Sequence, residues 1–286
     1  MSLSLVGVSV STISVAQAEA DSEISKSVKY GDDLLKAMEY GRAIASYKKA
    51  LALSHGQSSR AYVGLVHCYC DLGNYQDAIK NATACIKVCP TECDAYELLA
   101  DLHLQMKNSQ QAIDDLNSGI KANPSSRHLY FLRGRAYSRL DQFESAISDF
   151  NKSISLPGTG SAAYQARGIC YFRLHKFKSA IDDYSRAHDL EPKRADILEN
   201  RAAAYEQIRD YKNAVDDYSR LIKQQPYPFS VKYYKKRSAL YESLGQHTLA
   251  LKDQEMSKML DQDIVEDLNS RSMSQSSSAP LVKPHH

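Results

Sequence analysis

Residues 161–194 read SAAYQARGICYFRLHKFKSAIDDYSRAHDLEPKR. Tyr164, Arg167, Gly168, Tyr171 and Leu174 recur at steps of three and four residues, which lays them along one face of a helix. His175-Lys176-Phe177 turns the chain, and Ala180, Ile181, Tyr184, Ala187 and Leu190 then draw the apolar stripe of a second helix. Pro192 stops it, because proline lacks an amide proton and disfavours helix in the residue before it. Gly168 and Ala180 are expected to let the two helix backbones approach closely, with tyrosines filling the space between neighbouring units.

The arrangement repeats through most of the chain. Ala78, Ala112, Ala146, Ala180 and Ala214 stand 34 residues apart, each followed by Ile or Val. On this alignment Tyr75, Phe143, Phe177 and Tyr211 fall three residues upstream, Tyr69, Tyr137, Tyr171 and Tyr205 nine upstream, and Pro90, Pro124, Pro192 and Pro226 twelve downstream. Independent residue classes sharing one period mark a repeat architecture. Looser units surround Ala43, with Tyr40 and Tyr47, and Ala250, with Tyr241, Gly245 and Leu260. Seven units follow, at about 24–57, 59–92, 93–126, 127–160, 161–194, 195–228 and 231–264.

This pattern resembles the tetratricopeptide-repeat family, whose 34-residue helix-turn-helix carries small residues, aromatics and a terminal proline at these places. The resemblance implies an all-α chain, an α-solenoid whose helix pairs wind into a right-handed superhelix, with a concave groove lined by the first helix of each unit. Two places depart from it. Ser109 stands where an aromatic is expected, and Pro157-Gly158 arrives one residue early, which predicts a local irregularity near 157–160 and no break in the array.

Outside the repeats the pattern lapses. Met1 to Ala18 carries no Lys, Arg, Asp or Glu and ends in Ala16-Gln17-Ala18, like a cleavable targeting segment, although a basic start is missing and serines interrupt the apolar stretch. Residues 1–23 are therefore expected to be a leader, disordered or signal-like. Ile264 to Leu268 could extend a helix that caps the last unit. Arg271 to His286, rich in serine with Pro280 and Pro284, reads as a disordered tail.

Composition narrows the function. The 286 residues are 43% hydrophobic and 24% charged, and 36 Lys and Arg against 34 Asp and Glu leave a formal charge of +2. No charge excess argues for wrapping nucleic acid or lying on an anionic membrane. Twelve glycines and eight prolines are too few for a turn-rich all-β chain. No run of 18 apolar residues offers a membrane-spanning helix. Five of six cysteines crowd between Cys68 and Cys93, unlike a secreted disulfide framework, so a reducing, cytoplasmic setting is expected. The alternative is the secretory pathway or an organelle lumen, should residues 1–18 be cleaved.

Phosphate-binding glycine loops, zinc-protease and serine-hydrolase motifs are all missing from the sequence. The repeats leave no spare domain for an active site, so neither an enzymatic role nor a cofactor is expected. Cys85, Cys89 and Cys93, with His67 and Cys68 nearby, invite a metal or redox reading. Yet Cys85 occupies a small core position and the C-x₂-C spacing of common zinc sites is missing, so core packing is the expectation.

Charged residues also keep the period. Arg133, Arg167, Arg201 and Arg237 recur where the family usually has an apolar residue, and Asp115, Asp149, Asp183, Asp217 and Asp253 recur on the second helices. A ladder of ion pairs is expected; either pairing, within a unit or with the preceding one, leaves one aspartate spare.

The resemblance implies that groove residues bind a protein or peptide. Candidates are Arg135 and Arg139 in the fourth unit, Gln165 and Arg173 in the fifth, Asn200 in the sixth, and Lys232 and Lys236 in the seventh. The stretches around Asn200 and Lys232–Arg237 also resemble part of a dicarboxylate clamp, by which some co-chaperones of this family hold the acidic carboxy-terminal tails of heat-shock chaperones. In that comparison Asn200 would donate to the terminal carboxylate and the two lysines would pair with acidic side chains, but Gln165 and Ile169 stand where the clamp has lysine and asparagine. The sequence reading is thus a non-enzymatic adaptor, with a co-chaperone carrying a degenerate clamp as the alternative and a metal- or redox-responsive protein as a weaker one.

Overall fold

The computed structural model describes the backbone of residues 10–225 and 228–276; the side chains of residues 10–16, Cys93 and 263–276 are outside that description. Residues 1–9 of the expected leader, the expected stop at Pro226 and residues 277–286 of the expected tail lie outside the described residues.

Fourteen α-helices and their turns make up the described chain, paired in sequence. The pairs are α1 (Val10–Lys36) with α2 (Tyr40–Leu53), α3 (Ser59–Asp71) with α4 (Tyr75–Val88), and α5 (Cys93–Gln105) with α6 (Ser109–Ala122). Next come α7 (Arg127–Arg139) with α8 (Phe143–Ser155), α9 (Ser161–Arg173) with α10 (Phe177–Leu190), α11 (Ala195–Gln207) with α12 (Tyr211–Gln224), and α13 (Val231–Ser243) with α14 (His247–Ser276). Among the described residues no helix is long and apolar enough to cross a membrane.

Each pair turns on one residue in the left-handed region. Met38, Lys107, Asp141, His175 and Arg209 adopt φ of 56–62°, and Gly73 and Gly245 take the same place at 71° and 69°. The conformation closes the first helix, as where the Gln142 amide donates to the Tyr137 carbonyl at 3.0 Å. Several helices then start on a side-chain cap: Ser58 accepts from the Ala61 amide, Asn74 from Asp77, Ser126 from Leu129 and Asp210 from Asn213.

The chain divides into two compact units between Pro157 and Gly158. In the first, each helix from α1 to α8 packs on the next, and α3 also lies against α1 and α5, with α5 against α7. In the second, consecutive helices from α9 to α14 pack likewise, and α9 meets α11. Each unit is thus a run of antiparallel helix pairs, the construction of an α-solenoid. The division falls where only a local irregularity was expected. There α8 closes at Ser155, Leu156 turns extended (φ −90°, ψ 150°) ahead of the proline, and Gly158 follows at φ 82°.

Both ends are more helical than the sequence reading. Residues 10–23, read as leader, are the start of α1, whose Val28 and Leu34 are buried beside Tyr47. Likewise α14 runs to Ser276, past the expected start of the tail at Arg271. Neither stretch contains glycine or proline, so nothing halts propagation from a helix already anchored by packing.

Glycine positions in the first helices define the core. A Cβ built on Gly168 would lie 2.7 Å from the Tyr184 ring, one on Gly134 2.7 Å from Phe150, and one on Gly64 2.3 Å from Tyr47. The close approach expected at Gly168 is therefore that of an aromatic ring onto a bare backbone. Ala180 is fully buried as expected, but Leu190, assigned to the same stripe, is 51% exposed at the end of α10.

Candidate functional site

The arginines and aspartates that keep the 34-residue period form one motif, repeated. Arg133 donates through Nε and Nη2 to both oxygens of Asp149 at 2.7 and 2.6 Å. Arg167 does the same to Asp183, Arg201 to Asp217 and Arg237 to Asp253, always sixteen residues on. Pairing is thus within the repeat. The third nitrogen reaches back to the preceding second helix, from Arg133 to Asn117, from Arg201 to Ser185 and from Arg237 to Ser219. Tyrosines flank the cation on its own helix: Tyr130 and Tyr137 lie 5.7 and 5.9 Å from Arg133, Tyr164 and Tyr171 equally from Arg167, and Tyr234 and Tyr241 both 5.6 Å from Arg237. At Arg133, Arg167 and Arg237 the bond to the aspartate is the largest influence on the guanidinium and raises its pKa against the opposing cost of burial. The motif ties three helices together.

Asp115, the spare aspartate, pairs with His103 Nδ1 at 2.6 Å. His103 stands one period before Tyr137, and Leu99 one period before Arg133. Burial raises the Asp115 carboxyl above its ordinary range, with the His103 bond opposing.

The first helices of adjacent repeats carry a second set of contacts, at the exposed face predicted to bind ligands. In the first unit Glu97 on α5 meets His128 on α7 at 2.5 Å, and Asp101 meets Arg135 at 3.6 Å. Phe131 lies between, stacked with His128 and 5.8 Å from the Arg135 guanidinium. Arg139 turns instead to donate to the Leu104 carbonyl. In the second unit Gln165 on α9 donates to Asp196 on α11 at 2.8 Å and accepts from Arg194 at 2.6 Å. Lys232 on α13 meets both oxygens of Glu199 at 2.9 and 3.0 Å, and Lys236 approaches Glu206 at 3.8 Å. Asn200 is half-buried on the same helix as those glutamates, and Arg173 is exposed near the end of α9.

Of the seven predicted residues, Gln165, Lys232 and Lys236 meet residues of α11 from α9 and α13, Asn200 and Arg173 lie on α11 and α9, and Arg135 and Arg139 belong to α7 in the other unit. The sequence reading missed that Glu97, Gln165 and Glu199 are one position, each meeting the second residue of the next repeat's first helix: His128, Asp196 and Lys232. Complementary polar and charged residues in register across repeats were the signal that went unused.

The cysteines sit elsewhere. Cys68 and Cys170 are buried, and Cys85 is buried with Sγ 3.6 Å from the Ser59 carbonyl. Burial pushes the Cys68 thiol up to about 11 and the Cys85 thiol up to about 12, away from the thiolate that metals and oxidants require. Among the described residues no three His, Cys, Asp or Glu side chains converge to hold a metal ion.

Comparison with known proteins follows the same lines. The family described as Psidin, N-terminal TPR repeats region, matches residues 101–235, and the tetratricopeptide repeat matches residues 29–84. No curated protein matches the chain in sequence. Among solved structures, the C-terminal part of a TPR repeat-containing protein from Cytophaga hutchinsonii is similar with a TM-score of 0.66 at 21% identity, covering 82% of this chain and 95% of that one. A tetratricopeptide repeat protein from Parabacteroides merdae has a TM-score of 0.60 at 16% identity, covering 88% and 99%. PilF of Pseudomonas aeruginosa has a TM-score of 0.58 at 15% identity, covering 75% and 97%. Identities this low show the fold alone. Two repeat matches on separate stretches, in a chain of helix pairs with a 34-residue period, make this protein a member of the tetratricopeptide-repeat family.

Proposed function

We propose that this protein is a non-enzymatic adaptor that binds a polypeptide segment of mixed charge along the faces of its first helices. A tetratricopeptide-repeat array is a scaffold for protein–protein interaction. The observation that carries the finer reading is the set of exposed cross-helix pairs: Glu97 with His128, Asp101 with Arg135, Glu199 with Lys232, and Glu206 with Lys236. Solvent-exposed pairs of this kind contribute about 0–1 kcal/mol each, so a ligand's own charges exchange with them at little cost. The same pairing weighs against the acidic-tail clamp, since Lys232 and Lys236 already face carboxylates. The buried thiols of Cys68 and Cys85 suit a reducing, cytoplasmic setting.

The test is affinity capture with cross-linking from the native source. A variant with Asn200→Ala, Lys232→Ala and Lys236→Ala, and another with Arg135→Ala and Arg139→Ala, are compared with wild type and with Lys212→Ala on α12. Partners kept by Lys212→Ala and lost from either first-helix variant support the reading. Identical recovery by all four proteins rejects it.

A further inference from the structure

The third repeat departs from the fourth to seventh at its arginine position, and His103 and Ser109 also stand where those repeats place aromatic or other residues. Its second helix keeps the aspartate, Asp115, and its first helix keeps the leading tyrosine, Tyr96, but Leu99 replaces the arginine. Thr83 on α4 stands one period before Asn117, which accepts the third nitrogen of Arg133. Thr83, Tyr96, Leu99, His103 and Asp115 all line one groove of about 840 Å³ against α4, α5 and α6. The set of side chains that elsewhere encloses a guanidinium is assembled here around a leucine that is 6% exposed and carries no charge.

We propose that this groove is a docking site for a cationic side chain, arginine above all, supplied by a partner polypeptide where the fourth to seventh repeats carry their own. Charge complementarity commits the occupant. Asp114 and Asp115 line the groove with Asn108, Gln110 and Gln111, and no lysine or arginine lines it. Asp115 is held by His103 through Oδ2 and also meets the Gln111 side chain, a neutral donor that a charged guanidinium would displace. The planar fork of arginine suits a carboxylate beside an aromatic ring, which is how Arg133, Arg167 and Arg237 are held. The groove belongs to the first unit, and although Tyr96, Leu99 and His103 lie on the first helix α5, none of the cross-helix pairs of the adaptor reading lines it, so the two readings fail separately.

The experiment is titration of the ¹⁵N-labelled full chain with acetyl-Gly-Arg-Gly-Arg-Gly-amide, with the peptide bearing glutamine for arginine as control. Amide shifts gathered around Thr83, His103 and Asp115, produced by the arginine peptide and not by its control, are expected. Leu99→Arg fills the site from within and should weaken binding at least about tenfold, the loss of a charge-assisted bond, whereas Leu99→Met should leave it intact. Should Leu99→Arg lose the wild-type amide dispersion, Asp115→Asn takes its place with the same loss expected. Absent shifts, equal response to both peptides, shifts centred on Asp94 and Glu97, or wild-type affinity in the folded variants would each overturn the proposal.

Discussion

Arg201 and Asp217 face each other across α11 and α12 in a two-bond fork of 2.8 and 2.7 Å, with 10% and 3% of their side chains exposed. Removing one partner of such a buried pair strands the other, at about 3–5 kcal/mol, while replacing both by apolar groups of similar volume is often nearly neutral. Asp217→Ala should therefore lower the denaturation midpoint sharply, and Arg201→Met with Asp217→Leu should recover most of the loss. Urea unfolding followed by circular dichroism measures both. A double variant no better than the single one would mean that the bond to Ser185 outweighs the pair itself.

Gly64 and Gly41 should respond to alanine in opposite directions. Both are helical, and alanine is ordinarily favoured over glycine in a helix by about 0.8–1.0 kcal/mol. A Cβ at Gly41 meets nothing within 4 Å, so Gly41→Ala should stabilise. A Cβ at Gly64 falls 2.3 Å from the Tyr47 ring, a buried side chain that cannot yield, so Gly64→Ala should destabilise by about 1–3 kcal/mol. Thermal melts of the two variants read the signs directly.

The pairing of His128 with Glu97 predicts a pH response. Donating a hydrogen bond to the Glu97 carboxylate raises the imidazole above its ordinary 6.5, with burial opposing. A group whose folded value exceeds its unfolded one contributes stability that is complete below the unfolded value and disappears as pH rises through the folded value. The α5–α7 contact should thus weaken on passing from mildly acid to mildly alkaline solution. Histidine proton NMR should place the His128 midpoint above 6.5, and Glu97→Gln should bring it down.

Glu199 and Glu206 should act as internal competitors for Lys232 and Lys236. A peptide ending in Glu-Glu-Val-Asp is expected to bind wild-type protein no more tightly than its carboxy-terminal amide. Glu199→Gln with Glu206→Gln releases both lysines and should raise affinity for the free-acid peptide several-fold, an effect suppressed by salt. Calorimetric titration at two salt concentrations tests this. Tight, carboxylate-dependent binding by the wild type would instead restore the clamp.

The fold was legible because it is written in periodic, short-range signals. Ala78 through Ala214 fix the helix pairs, and the turn within each pair follows from them even where Lys107, Asp141, His175 and Arg209 hold a glycine-like conformation. The arginine–aspartate ladder was legible as a period, but its pairing depends on which helix faces which, a relation counting does not contain. The candidate site was less legible still. Gln165, Asn200, Lys232 and Lys236 were found by resemblance, whereas their partners Asp196, Glu199 and Glu206 matter through contacts between repeats. Pro157-Gly158 was visible as an early stop, but that the chain divides into two compact units there depends on packing within each unit, far from those two residues.

The third nitrogen of each repeated arginine has one further consequence. Because Arg201 reaches Ser185 and Arg237 reaches Ser219, the sixth and seventh repeats are each bolted to the one before by a bond that neither repeat possesses alone. The second unit is therefore closer to a zip with interlocked teeth than to beads on a thread. Pulled from its end, it gives way in blocks larger than a single helix pair, and a ligand that steadies one repeat lends part of its binding energy to the next.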